Sequence, residues 1–174
     1  MKLTIVEYPD KRLKEKSKKV KVFDENLHKL LDAMHPFMIE TNGIGLAAIQ
    51  VNYAIRALVL NIPDEEGEQH PENLLEIINP VITHKAGETT YQEGCLSVPK
   101  FYEDVTRYET VVVSYQDRDG NTKTLEADAL LAIAIQHEMD HLEGILFIDH
   151  LSYGRRKKFE KEYKRMLKER KNKK

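Results

Sequence analysis

The chain of 174 residues contains one cysteine, Cys95. That excludes an internal disulfide framework and suits a reducing compartment. No apolar run is long enough to span a bilayer. Residues 1–10 show neither an apolar signal-peptide core nor the Arg/Ser-rich character of a transit segment. A cytoplasmic protein with no membrane attachment is therefore expected. Internal repeats and low-complexity linkers are also missing. So is a phosphate-binding loop, because the glycines of 43–50 form neither G-x-G-x-x-G nor a loop followed by Gly-Lys-Ser/Thr.

An apolar content of 41% beside 32% charged residues is the profile of a soluble globular protein. The length suits one domain, 1–174, large enough to bury its own core. Its body would span 3–150 and a basic helix or tail 152–174. The net charge of −2 hides an asymmetry: residues 155–174 carry 12 Lys/Arg against 3 Glu, or +9, which leaves −11 on the rest.

Leu3, Ile5 and Val6 suggest a short strand before the turn at Tyr8-Pro9-Asp10, and 11–21 reads as a charged, solvated loop. Asp24 is a good N-cap for a helix whose Leu27, Leu30, Leu31, Met34 and Met38 share one face. Pro36 should kink or break that helix, which should end near Asn42-Gly43. Strands are expected over 55–62 and 74–82, the second with an edge or turn at Asn79-Pro80, and an acidic loop over 63–72. Two further strands, 105–115 and 123–126, read as a hairpin turning through Asp117-Arg118-Asp119-Gly120. Asp128 can cap a helix running to Gly144, and its first half is apolar all round, so it should be buried. The tail from Ser152 is helical by propensity, frayed at its lysine-rich end.

Within the buried helix lies Gln136-His137-Glu138-Met139-Asp140-His141, an H-E-x-x-H pattern. Successive helical residues are separated by about 100°, so His137 and His141 lie roughly 40° apart and can reach one cation. Glu138 sits on the same side and can flank a metal without binding it. Two ligands and a nearby base are what a metallohydrolase needs. The bland alternative is two histidines on an ordinary amphipathic helix.

A divalent metal needs a further ligand. Asp149 and His150 could fold back from beyond Gly144, whereas Glu143 points to another face. Cys95, beside Gly94 on a turn, offers a soft thiolate, although a lone cysteine is more often a small buried hydrophobe. The residues favour Cys95 without excluding the others.

Three segments, GIGLAAIQ at 43–50, EGCLS at 93–97 and QHEMDHLEG at 136–144, resemble in order and spacing the signature motifs of peptide deformylases. The resemblance covers about 3–150. It implies an α+β fold with antiparallel β-sheets around a central buried helix carrying H-E-x-x-H, plus a C-terminal helix. It implies removal of the formyl group from the N-terminal methionine of nascent polypeptides, with release of formate. Cys95, His137 and His141 would bind the metal, with water in the fourth position. Glu138 would be general base and acid, and Gln50 with the Leu96 N–H would hold the substrate carbonyl oxygen. Ile44, Gly45, Tyr91, Gly94, Leu130, Ile133 and Ala134 would contact the substrate, most of them around its methionine side chain. Glu93 and Arg107 would form a buried ion pair bracing the cysteine loop. Tyr102 stands where other family members place an arginine, so contacts beyond methionine should differ.

On ligand chemistry alone Cys-His₂ plus water suggests zinc. The resemblance implies Fe²⁺, which Zn²⁺, Ni²⁺ or Co²⁺ can replace. It also implies that the basic tail 155–174 can dock on ribosomal RNA. Two rival readings share the helix motif: a zinc protease acting on internal peptide bonds, and a non-catalytic, metal-stabilised binding module.

Overall fold

The computed structural model describes residues 1–173. Its seven strands form two antiparallel sheets. β1 (Gly45–Ala47), β2 (Ala57–Leu60), β3 (Leu75–Ala86), β6 (Thr110–Gln116) and β7 (Thr122–Asp128) pair in that order. β4 (Thr89–Cys95) and β5 (Val98–Arg107) form a separate two-stranded hairpin. The central helix, α2 (Ala129–Leu142), packs against β1, β2, β6 and β7 and buries every residue from 132 to 138. The fold is thus α+β, with antiparallel sheets around a buried helix, as the resemblance implies.

Local signals set the helix ends. Asp24 accepts from the Leu27 N–H at 3.1 Å and starts α1 (Glu25–Glu40). Its Leu27, Leu30, Leu31, Met34 and Met38 are all buried. α1 runs unbroken through Pro36, contrary to the expected kink or break. Pro36 and Asp32, whose carbonyl loses its helical donor, are both on the exposed face, so water can satisfy that carbonyl. Asp128 takes the N-cap position of α2, although its side chain makes no capping bond, and Gly144 follows the last turn at φ 73°.

Several strand expectations need correction. Residues 3–6 form no strand. The Val6 and Tyr8 N–H groups instead donate to the Gln50 and Ser97 carbonyls at 2.7 and 2.8 Å, tying the N-terminus to the two motif loops. The 11–21 segment is not simply a solvated loop, since it contains a 3₁₀ turn and buries Leu13, Ser17 and Val20. The expected strand 105–115 is two strands in different sheets, β5 and β6, parted at Tyr108-Glu109. There the Gln136 side chain accepts from the Tyr108 N–H at 3.0 Å and donates to its carbonyl at 2.9 Å, in place of a strand partner. The hairpin through Asp117–Gly120 joins β6 to β7 as expected. β3 continues past Pro80 with a register shift between Ile78 and Val81, where Asn79 has φ 52°.

α3 (Tyr153–Asn172) starts at Ser152, whose hydroxyl accepts from the Arg155 N–H at 3.4 Å. It is not a detached tail. Phe159 and Tyr163 are buried with Tyr8 and Phe101 in a cluster of rings, and Arg155 pairs with Glu103 of β5 at 2.6 Å. The fraying expected at the lysine-rich end reaches Lys174, which lies outside the described residues. No helix among the described residues is long and apolar enough to cross a membrane.

Candidate metal centre

Three elements bring the site together. α2 carries His137 and His141 towards the end of β4, and Glu138 beside Gly45 of β1. β4 ends at Cys95, and Leu96-Ser97 form the tight turn into β5. The 43–50 segment supplies β1 and the 3₁₀ turn that holds Gln50. Cys95, His137 and His141 each offer a ligand atom, all within 4.8 Å of one another. Cys95 Sγ is 3.5 Å from His141 Nε2. A tetrahedral cation with usual metal–sulfur and metal–nitrogen bonds needs a sulfur–nitrogen separation of about 3.6 Å, so this edge already fits one.

The other ligand candidates are engaged elsewhere. Glu143 pairs with Arg56 at 2.8 Å, Asp149 with Arg156 at 2.5 Å and His150 with Asp140 at 2.8 Å. Cys95 is partly buried at the end of β4 rather than on an exposed turn.

His137 Nδ1 donates to Glu93 Oε1 at 2.8 Å, which leaves Nε2 as the lone-pair nitrogen for a cation. Glu93 also takes two bonds from Arg107, Nε to Oε2 and Nη2 to Oε1, each 2.8 Å. Both side chains are almost wholly buried. The expected ion pair thus sits directly behind a candidate ligand. Burial opposes charge on Glu93, but Arg107 and His137 outweigh it and hold its carboxyl below the usual range.

The electrostatics favour one positive charge among the three donors. Burial opposes charge at both histidines. At His137 hydrogen bonds to Cys95 and Glu93 outweigh burial and hold its pKa well above the ordinary value. At His141 burial and the charge on His137 push the pKa well below it. A bound cation can take the place of that proton. Burial pushes Glu138 up to about 7. Its Oε2 is buried without a hydrogen-bond partner beside the three donors, whereas the unpartnered His141 Nδ1 is the ring nitrogen away from Cys95 and does not bear on the cation. The residues fit a metal.

Gly45 makes room for Glu138. A Cβ there would meet Glu138 Cγ at 2.9 Å and Leu60 Cδ2 at 2.8 Å, so β1 can approach the carboxylate only as glycine. The Gln50 side chain is buried. Its Oε1 accepts from the Ala47 N–H at 2.9 Å, and Nε2 donates to Ser97 Oγ at 3.1 Å and towards Cys95 Sγ at 3.5 Å.

Ile44, Gly45, Gln50, Tyr91, Gly94, Cys95, Leu96, Leu130, Ile133, Ala134, His137 and Glu138 all line one cleft of about 520 Å³. His141 is fully buried and does not line the cleft. Two contributors were not singled out in the sequence. Ser97, inside the EGCLS segment, anchors Gln50, and Gln136 pins the break between β5 and β6. Both lie within two residues of a metal-ligand candidate in sequence, which is the signal that could have marked them.

The family model for polypeptide deformylase matches residues 2–157. A peptide deformylase from Wolinella succinogenes is 58% identical over 163 residues, covering 94% of this chain and 96% of the relative. One from Helicobacter pylori strain HPAG1 is 55% identical over 171 residues, covering 98% of each. Among solved structures, a peptide deformylase from Legionella pneumophila superposes with TM-score 0.87 at 36% identity, over 97% of this chain and 96% of that one. The Ehrlichia chaffeensis enzyme in complex with actinonin gives 0.86 at 38%, over 94% and 96%. With its metal-capable Cys-His-His group at a cleft and this likeness along nearly its whole length, the chain belongs to the polypeptide deformylase family.

Proposed function

We propose that Cys95, His137 and His141 hold one divalent cation and that Glu138 moves the proton in hydrolysis of the N-terminal formyl group of nascent polypeptides. The observation that carries this is three converging donors beside a buried carboxyl that burial brings to about 7. The cation supplies a Lewis acid and lowers the pKa of water towards about 7. Glu138 takes the proton of the attacking water and delivers it to the departing nitrogen, which is otherwise too poor a leaving group. Its pKa near neutrality suits both directions of transfer. With a cation bound beside it, the Glu138 carboxyl would titrate lower, which would favour its base form before attack.

The substrate oxygen is held by the Leu96 N–H and the Gln50 amide. Gln50 Nε2 directs one hydrogen to Ser97 and the other at long range towards Cys95, and this second hydrogen is the one that turns to the substrate. Each such donor contributes about 3 kcal/mol to the transition state. Ile44, Tyr91, Leu130, Ile133 and Ala134 provide the apolar walls for the methionine side chain, and Gly45 and Gly94 let the peptide backbone approach. The whole chain 1–174 acts as one domain, with 3–150 as the catalytic body.

Glu138→Gln, assayed for metal content and formate release, tests the assignment. Turnover should fall by about 10²–10⁴-fold with metal retained. Unchanged function would favour the metal-stabilised binding module, and cleavage of blocked internal peptides would favour the protease. The native metal is Fe²⁺, with Zn²⁺, Ni²⁺ or Co²⁺ able to substitute. Equal or higher activity with Zn²⁺ in anaerobically prepared enzyme would sink that assignment. The protein is cytoplasmic, and the exposed lysines of α3 dock it on ribosomal RNA. Because Phe159 and Tyr163 belong to the core, that is tested by charge reversal at Lys157, Lys158 and Lys161 rather than by truncation. Unchanged co-sedimentation with ribosomes at low salt would remove the idea.

A further inference from the structure

The polar network behind His137 extends beyond the Glu93–Arg107 pair. Arg107 Nη1, the part of the guanidinium that does not face Glu93, donates to Asp140 Oδ2 at 2.6 Å. The same oxygen lies 2.8 Å from His150 Nε2, which is also 3.4 Å from Arg107 Nη1. A nitrogen facing a carboxylate at 2.8 Å must carry the hydrogen, so His150 donates to Asp140. Its contact with Arg107 then pairs two donors and is no hydrogen bond. Asp140 Oδ2 is held from both sides.

We propose that His150 is a positioning residue for the metal centre: it holds Asp140, Asp140 holds Arg107, and Arg107 holds the Glu93 carboxylate that fixes the His137 ring. This rests on the metal reading above. The geometry favours it in three ways. First, the connection is continuous, since each step from His150 to His137 is a hydrogen bond of 2.6–2.8 Å. Second, Arg107 is planar and rigid, so the angle at which Nη1 is held sets the angle at which Nε and Nη2 meet Glu93. Third, His150 sits away from the substrate. It lines a separate cleft of about 620 Å³ with Gln136, Met139 and Glu143, on the other flank of α2 from the substrate cleft. That cleft is the larger of the two, but none of Cys95, His137 and His141 lines it. A group that orients a ligand from this side changes the metal and the chemical step and leaves substrate contacts alone.

The test compares wild type, His150→Ala and His150→Gln as metal-loaded full-length proteins. Metal release to an excess of chelator, kcat and KM for a formyl-methionyl dipeptide, and the thermal midpoint are measured on each. The alanine variant should release metal about tenfold faster, the low end of the range for partners outside the ligand shell. Its kcat should fall about threefold to tenfold with KM within about twofold, because only the transition state has lost stabilisation. The glutamine variant, whose Nε2 can donate in place of the ring nitrogen, should return both values to within about twofold of wild type. A wild-type release rate and kcat in the alanine variant would overturn the proposal. So would a glutamine variant as defective as alanine, which marks a packing role, or a change confined to KM. A wild-type chain that takes up no cation would overturn the metal reading first and this inference with it.

Discussion

Among the described residues, two groups of side chains bring three possible ligand atoms within 4.8 Å: Cys95, His137 and His141 at the cleft, and Asp64, Glu68 and His70 on the acidic loop. Only the first is built as a site. Its histidines are buried on a helix, and the ring of His137 is fixed from behind by Glu93. Beside it Glu138 Oε2 is buried with no partner. In the loop group the polar atoms already have work. Asp64 Oδ1 accepts from the Glu66 and Glu68 N–H groups, and Oδ2 meets His70 Nε2 at 2.6 Å. That arrangement closes the loop without a cation. Closeness of ligands is common, whereas buried and oriented ligands are the mark of a centre.

The sharpest break of this comparison is by ligand removal. Cys95→Ala should abolish stoichiometric metal uptake and lower formate release by more than about 100-fold, since the cation supplies several kcal/mol. His70→Ala should leave both unchanged. Loss of metal from the His70 variant would show that the loop group is a second centre.

The support behind the first group should be the next largest effect. Arg107→Ala removes the guanidinium from the buried Glu93 and leaves it only the His137 N–H, which should cost about 3–5 kcal/mol in urea unfolding. A cost below about 1 kcal/mol would place the pair with ordinary surface bridges.

Burial also sets a pH limit. Burial, aided by the charge on Glu7, pushes Tyr163 up to about 12, and its hydroxyl donates to the Tyr8 carbonyl at 3.0 Å. An unfolded tyrosine loses its proton near pH 10, before the folded one does. Its stabilising contribution is therefore full below pH 10 and lost as pH rises through about 12, by about 3 kcal/mol in all. In Tyr163→Phe that alkaline loss should be absent. Denaturation at pH 9 and 11.5 reads the difference, and parallel losses in both proteins would contradict it.

The smallest effect is expected at the cleft rim. Tyr102 is 64% exposed, stands opposite Gly94 and lines the cleft. Tyr102→Ala should lower kcat/KM about threefold for formylated tripeptides with an aromatic third residue and leave formyl-Met-Ala unaffected, because one stacked ring contributes about 0.5–1.5 kcal/mol. Equal changes on both substrates would show that Tyr102 acts on the centre itself.

What could be read directly was local. The H-E-x-x-H spacing, the Asp24 cap, the apolar face of α1, the Asp117–Gly120 turn and the buried character of α2 each depend on residues a few positions apart, and all appear in the fold. The β4–β5 hairpin was hidden because its sequence is largely polar: β5 does alternate in burial, but its inward positions include Glu103 and Arg107 as well as Phe101 and Val105, so no apolar alternation marks it. Pro36 misled because the cost of a helical proline depends on which face it occupies, and that is settled by packing. Three short segments were enough to place the chain in its family and to name the cation's ligands as candidates. Which of Cys95, Glu143, Asp149 and His150 stands next to His141 was decided only by folding. β4 ends against α2 and delivers the thiol, while Arg56, Arg156 and Asp140 draw the other three away. A side chain's chemistry is written at its own position, but its partners can come from elements far along the chain, as with Cys95 and His141 at a separation of 46. Only the packed fold determines which of them meet.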